Sequence, residues 1–86
     1  MTTSFGYVRV AAAVPQMRVA NCQYNASEIK KQITEAVQEG VQVVCFPELS
    51  ITGYTCADLF FTQQLQKDAL CALEQVCAFT RNLPII

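Results

Sequence analysis

Between residues 7 and 14 apolar side chains alternate: Val8, Val10, Ala12 and Val14 on one parity, Tyr7, Arg9, Ala11 and Ala13 on the other. That two-residue period predicts a β-strand. Pro15 has no amide to give to a ladder and closes it. A polar loop follows through Asn21 and Tyr24, and the period then changes. Ile29, Ile33, Ala36 and Val37 repeat as one helical face, while Lys30, Lys31, Gln32, Glu35 and Gln38 fall on the other. This predicts an amphipathic helix. Asn25 with Glu28 three residues on fits a capping box, and Ser27 is a competing cap. Gly40 stands where a helix takes its left-handed terminator.

A second strand is expected at Val41–Phe46, apolar on both parities as in a central parallel strand covered on both faces. Pro47 to Phe61 reads as a loop carrying Gly53 and Asp58. Thr62 can cap a second helix that runs to about Asn82, with Leu65, Ala69, Leu73 and Val76 inward. Pro84 precedes Ile85 and Ile86, the opening of a third strand. The order β-α-β-α, then the start of a strand, predicts an α/β fold with parallel crossovers.

Composition changes the picture in one respect. A chain of 86 residues that is 52% hydrophobic is rich in apolar groups for its size, because so small a unit hides only about 60–65% of its unfolded surface. Residues 1–86 are therefore expected to be the N-terminal part of a larger domain, truncated at the start of its third strand. Six basic against seven acidic residues leave no electrostatic footprint for nucleic acid. No apolar run approaches the roughly 20 residues that span a bilayer, and MTTSFGYVRVAAAV lacks the basic lead of a signal peptide. Five cysteines in irregular spacing, with no CxxC pair and no histidine, read as reduced thiols rather than disulfides or a zinc site. A cytoplasmic setting follows.

The chemistry-bearing candidate is Glu48. In parallel α/β sheets functional side chains collect at the carboxyl ends of strands, and Glu48 stands two residues past the apolar run Val43–Phe46. The plainer alternative is a solvated or helix-capping loop carboxylate. Pro47 restricts the approach to it. Gly53 can be an ordinary turn residue with positive φ, and Tyr54 can pack over the loop. Cys45 reads as a small core residue, Cys71 and Cys77 as packing on the second helix, and Cys22 and Cys56 as loop residues that could be exposed. No histidine base is available to any of them, so none is expected to be a nucleophile. Neither GxGxxG nor GxxxxGK[ST] occurs, so no nucleotide-phosphate cradle is encoded.

Phe46-Pro47-Glu48 followed by Gly53-Tyr54 resembles the FPE…GY segment of the nitrilase superfamily of carbon–nitrogen hydrolases. Thr52-Gly53-Tyr54 with Asp58-Leu59-Phe60 is similar to the glutaminase domains of bacterial glutamine-dependent NAD⁺ synthetases, as is the opening FGYVRVAAAVPQMRVANCQYN. The resemblance implies the β-α-β-α first portion of a four-layer α-β-β-α sandwich and a Glu–Lys–Cys triad acting on L-glutamine. Glu48 would be its general base, and Tyr54 would lie near the glutamine pocket or the exit of ammonia. The triad's lysine and cysteine have no counterpart here: Lys67, Cys71 and Cys77 sit on the second helix, in the wrong place. The isolated segment is expected to be inactive. Its partners would be the rest of the chain, a synthetase domain binding ATP and Mg²⁺, and further copies in a homo-oligomer; no cofactor would bind these residues. Another amidase or carbamoylase of the superfamily is the first rival, against which the TGY…DLF stretch argues. A non-enzymatic flavodoxin-like or receiver module is the second. It would need acidic residues at the end of the first strand, where Val14-Pro15-Gln16 stands.

Overall fold

The computed structural model describes residues 6–86. The leading MTTSF, part of the stretch inspected for a signal peptide, lies outside them. The elements run β1 (Val10–Ala12), α1 (Cys22–Gln38), β2 (Val43–Cys45), a 3₁₀ turn (Ala57–Phe61) and α2 (Gln63–Thr80). β1 and β2 pair in parallel, with Val10 opposite Val43, Ala11 opposite Val44 and Ala12 opposite Cys45. The expected α/β order is therefore present, as a small two-stranded parallel sheet with two helices.

Both strands are shorter than the alternation predicts. Backbone bonds continue the ladder one step each way, from Gln42 N to Arg9 O at 2.8 Å and from Ala13 N to Cys45 O at 2.9 Å. Beyond them β1 has no partner among the described residues, and Tyr7 and Val8 are exposed. On the other side of β2, Ile86 donates to Gln42 O and accepts from Val44 N, both at 2.8 Å. These bonds have the slanted pattern of a parallel pair. The apolar pair Ile85–Ile86, expected to open a strand, thus begins to pair with β2 without forming an assigned strand, and β2 lies in the middle.

Helix α1 starts earlier than its apolar period suggests. Asn21, not Asn25, is the N-cap, its side chain accepting from Tyr24 N at 3.1 Å. Asn25 lies inside the first turns and faces inward with Cys22, Ala26, Ile29, Ile33 and Ala36. The expected capping box does not form; Glu28 instead pairs with Lys31 at 3.8 Å. The helix ends as predicted. Gly40 has φ +78, its amide reaches Val37 O at 3.1 Å, and the Val41 amide reaches Ala36 O at 3.0 Å, the paired bonds of a Schellman terminator. Thr62 caps α2, its hydroxyl accepting from Leu65 N at 3.3 Å.

The core lies between the helices and the segment after β2. Cys22, Ala26, Cys56, Leu65 and Ala72 are buried together, with Ala20, Ile51, Phe60, Ala69 and Val76 packed against them. The inward stripe of α2 is Leu65, Ala69, Ala72 and Val76, so Leu73 is displaced from the predicted face and is 47% exposed. The readings of all five cysteines also change. Cys22 and Cys56, read as loop residues open to solvent, are buried because one opens α1 and the other turns in beneath it. Cys45, read as a core residue, is exposed. It shares a parity with Val10 and Ala12, and Val8, Val10 and Val14 on that parity are 59%, 66% and 77% exposed. No layer formed by the described residues covers them. Cys71 and Cys77 on α2 are exposed rather than packed.

Candidate functional site

The carboxyl ends of adjacent strands β1 and β2 each run into a loop, and the two loops clasp one another. Pro15, buried at the end of β1, turns the chain toward Arg18–Asn21. From β2 the chain passes through Phe46 and Pro47 into a tight turn over 48–52. The Ser50 hydroxyl donates back to Pro47 O, and the Gly53 amide donates to Leu49 O at 2.8 Å. Leu49 holds φ +60, a left-handed conformation that costs a residue with a β-carbon about 1–2 kcal/mol. An outlier of this kind persists only where its surroundings hold it.

Three contacts hold it from outside. The Ala20 amide donates to Thr52 O at 2.7 Å. The Asn25 side-chain amide donates to Ile51 O at 2.7 Å and to Arg18 O at 2.8 Å, while its carbonyl accepts from Arg18 N at 2.7 Å. Gly53, at φ +89, lies so close to the first loop that a β-carbon would stand 3.2 Å from Val19 Cα. Within the turn, the Cys56 thiol donates to Thr52 O at 3.1 Å. Burial pushes the Cys22 thiol above its usual range, helped by the negative charge of Asp68 and by Cys56; it stays protonated and inert.

Glu48 occupies the first position of this turn and is exposed. The ion pair found among the described residues joins Lys31 and Glu28, so Glu48 is left without a cationic partner. Tyr54, one residue past Gly53, is 66% exposed. The structure thus brings both candidates to one end of β2, on the same turn. Arg18 is also exposed there, its guanidinium 4.1 Å from the centre of the Tyr24 ring. A cavity of about 360 Å³ lies under the turn, lined by Ile29, Phe46, Leu49, Ser50, Ile51, Thr52, Leu73 and Val76. Its wall is apolar apart from Ser50 and Thr52 and holds no charged side chain. No cluster able to hold a metal ion occurs among the described residues, and no helix there is long and apolar enough to cross a membrane.

Two features of the site escape sequence reasoning. Leu49's left-handed backbone has no sequence signal, since leucine rarely adopts it. Asn25 has one: it falls on the same helical stripe as Ile29, Ile33 and Ala36, and a polar residue on an apolar stripe must find buried partners.

An exposed carboxylate on a braced turn at a strand's carboxyl end can serve as an acid–base group but cannot by itself identify a reaction. The chain matches the carbon-nitrogen hydrolase family over residues 9–84. It is 32% identical to a glutamine-dependent NAD(+) synthetase of Mycobacterium leprae over 85 residues, 96% of this chain and 12% of that protein. Proteins of the same name from Acinetobacter baylyi and Aquifex aeolicus are 31% and 34% identical over 68 residues, 79% of this chain and 13% and 12% of theirs. The chain therefore spans about an eighth of the length of these relatives. With the family match running from the start of β1 to beyond the end of α2, this chain belongs to the carbon–nitrogen hydrolases.

Proposed function

We propose that these 86 residues form the first part of the glutaminase domain of a glutamine-dependent NAD⁺ synthetase, with Glu48 as its general base. The observation that carries the reading is the position of Glu48, aimed outward from a braced turn at the exit of β2, in a chain whose relatives carry that name. In this reading a cysteine and a lysine from elsewhere in the polypeptide complete the site. Glu48 takes the proton from the cysteine as its sulfur attacks the carboxamide carbon of L-glutamine, and the lysine stabilises the oxyanion. Glu48 then passes that proton to the departing ammonia and draws another from the water that cleaves the thioester. Tyr54, on the same turn, contacts glutamine or lines the route of ammonia. The 86-residue chain alone, lacking two members of the triad, hydrolyses nothing.

The exposed apolar parity Val8, Val10, Val14 and Cys45 supports a second sheet packed on this one, as in a four-layer α-β-β-α sandwich. Ammonia would pass to a separate domain that uses ATP and Mg²⁺ to amidate deamido-NAD⁺, within a homo-oligomer. Five free thiols favour the cytoplasm. The test is to supply the full-length protein with ATP, Mg²⁺ and deamido-NAD⁺, and with either glutamine or ammonium. NAD⁺ from both nitrogen sources is the expected result. NAD⁺ from neither, with amide hydrolysis retained, would leave only an amidase of the same family.

A further inference from the structure

Among the described residues, Asn25 is the only polar side chain with no exposed surface. Its carboxamide makes three hydrogen bonds, and none goes to its own helix. Two embrace the backbone of Arg18 in the loop after β1. The third crosses 26 residues to the carbonyl of Ile51, three positions past Glu48 and two past the left-handed Leu49. A buried asparagine serving stability alone needs only to be satisfied. This one joins the loops at the ends of both strands, and one of them carries the candidate base. Because Glu48 has no cationic partner among the described residues, its direction is set by the backbone of the turn, and the turn is set from outside by Asn25 and the contacts beside it.

We propose that Asn25 is a positioning residue for Glu48: it holds the turn in its left-handed form and so fixes where the carboxylate stands. This rests on the reading of Glu48 as the base of an amide-hydrolysing site. Without the bond to Ile51 O the turn loses one of its three outside contacts, Leu49 is held less firmly in the left-handed region, and backbone rotation there turns the Glu48 side chain away from its working position. A displacement of about 1 Å at a reacting group is enough to lose roughly 10²-fold in rate.

The test uses the full-length protein with Asn25→Ala and Asn25→Asp. Active sites are counted by covalent labelling with an electrophilic glutamine analogue, so that rates are expressed per competent molecule. The expected result for Asn25→Ala is a fall of about 10–100-fold in glutamine-dependent kcat per labelled site, with KM little changed. Asn25→Asp, which keeps the acceptor for Arg18 N but when ionised loses both donors and sets a buried carboxylate against two carbonyl oxygens, should fall at least as far. An unaltered kcat per labelled site would overturn the proposal, whatever the fraction labelled. Should Asn25→Ala fail to accumulate, Gly53→Ala decides by the same comparison of kcat per labelled site with KM, since its methyl group pushes on Val19 and opens the same clasp from the other side. A wild-type protein that hydrolyses no glutamine would instead remove the underlying assignment of Glu48.

Discussion

Val44 and Ile86 are joined by a backbone hydrogen bond of 2.8 Å, on the edge of β2 opposite the one that faces β1. The strand that delivers Glu48 is therefore held from both sides. Ile86→Pro removes the amide that reaches Gln42 O and should lower the stability of the full-length protein's first domain by about 1–3 kcal/mol. Urea unfolding followed by far-ultraviolet dichroism would register this as a lower midpoint. An unchanged midpoint would mean that the pairing seen at Ile86 does not persist in the longer polypeptide.

Glu48→Gln keeps the shape of the side chain and removes the proposed base. Glutamine-driven NAD⁺ synthesis should fall by about 10²–10⁴-fold, while synthesis from ammonium should survive, since free ammonia bypasses the hydrolytic site. Equal loss of both activities would assign Glu48 to the fold instead.

Thiol reactivity separates the burial of the five cysteines. Cys22 and Cys56 should react slowly with a maleimide until the protein unfolds, and Cys71 and Cys77 should react quickly unless a neighbouring element covers α2. Cys45 is the informative one. It is exposed on the bare apolar parity of the sheet here, and in the full-length protein it should be protected if a second sheet packs on that face. Mass spectrometry of timed labelling would distinguish the sites, and rapid labelling of Cys45 in the full-length protein would count against the sandwich.

The Cys22 thiol carries a pH dependence. Burial first, then Asp68 and Cys56, raise its pKa above the ordinary value of 9.0, so the folded state holds the proton more tightly than the unfolded one. Its contribution is complete below the unfolded pKa and is lost as pH rises from there through the folded value. Stability should therefore fall in the alkaline range above about pH 9, and Cys22→Ala should flatten that fall even if it lowers the midpoint at neutral pH. Urea midpoints of the two proteins on either side of that pH would show it. Parallel pH curves would mean that Cys22 ionises as freely folded as unfolded.

The elements that were legible in the chain are those fixed by local rules. Thr62 caps α2, Gly40 terminates α1, and the order of strands and helices follows the change of hydrophobic period. The same local rules misread Asn25, because an asparagine near a helix start is ordinarily a cap, and here Asn21 had already taken that place. Leu73 and Ala72 exchanged roles because leucine outranks alanine in apolarity, whereas close approach at the centre of a helix pair favours the smaller side chain. Cys45 depended on what lies across the sheet, which no periodicity within these residues can report. Glu48 was placed correctly at the strand's exit from position alone; the brace that holds it was invisible because it is made of contacts between distant parts of the chain.

The clasp between the two loops touches its partners almost entirely through main-chain atoms. Asn25 binds the amide and carbonyl of Arg18 and the carbonyl of Ile51, and Ala20 meets Thr52 backbone to backbone. The path of both loops is therefore independent of most of the side chains they carry. Arg18, Val19 and Tyr54 can be exchanged in a library without moving the peptide planes that support Glu48, while Asn25 and Gly53 admit almost no replacement. If Glu48 is the base proposed above, the surroundings of its carboxylate are open to redesign at the first three positions without moving the backbone that carries it.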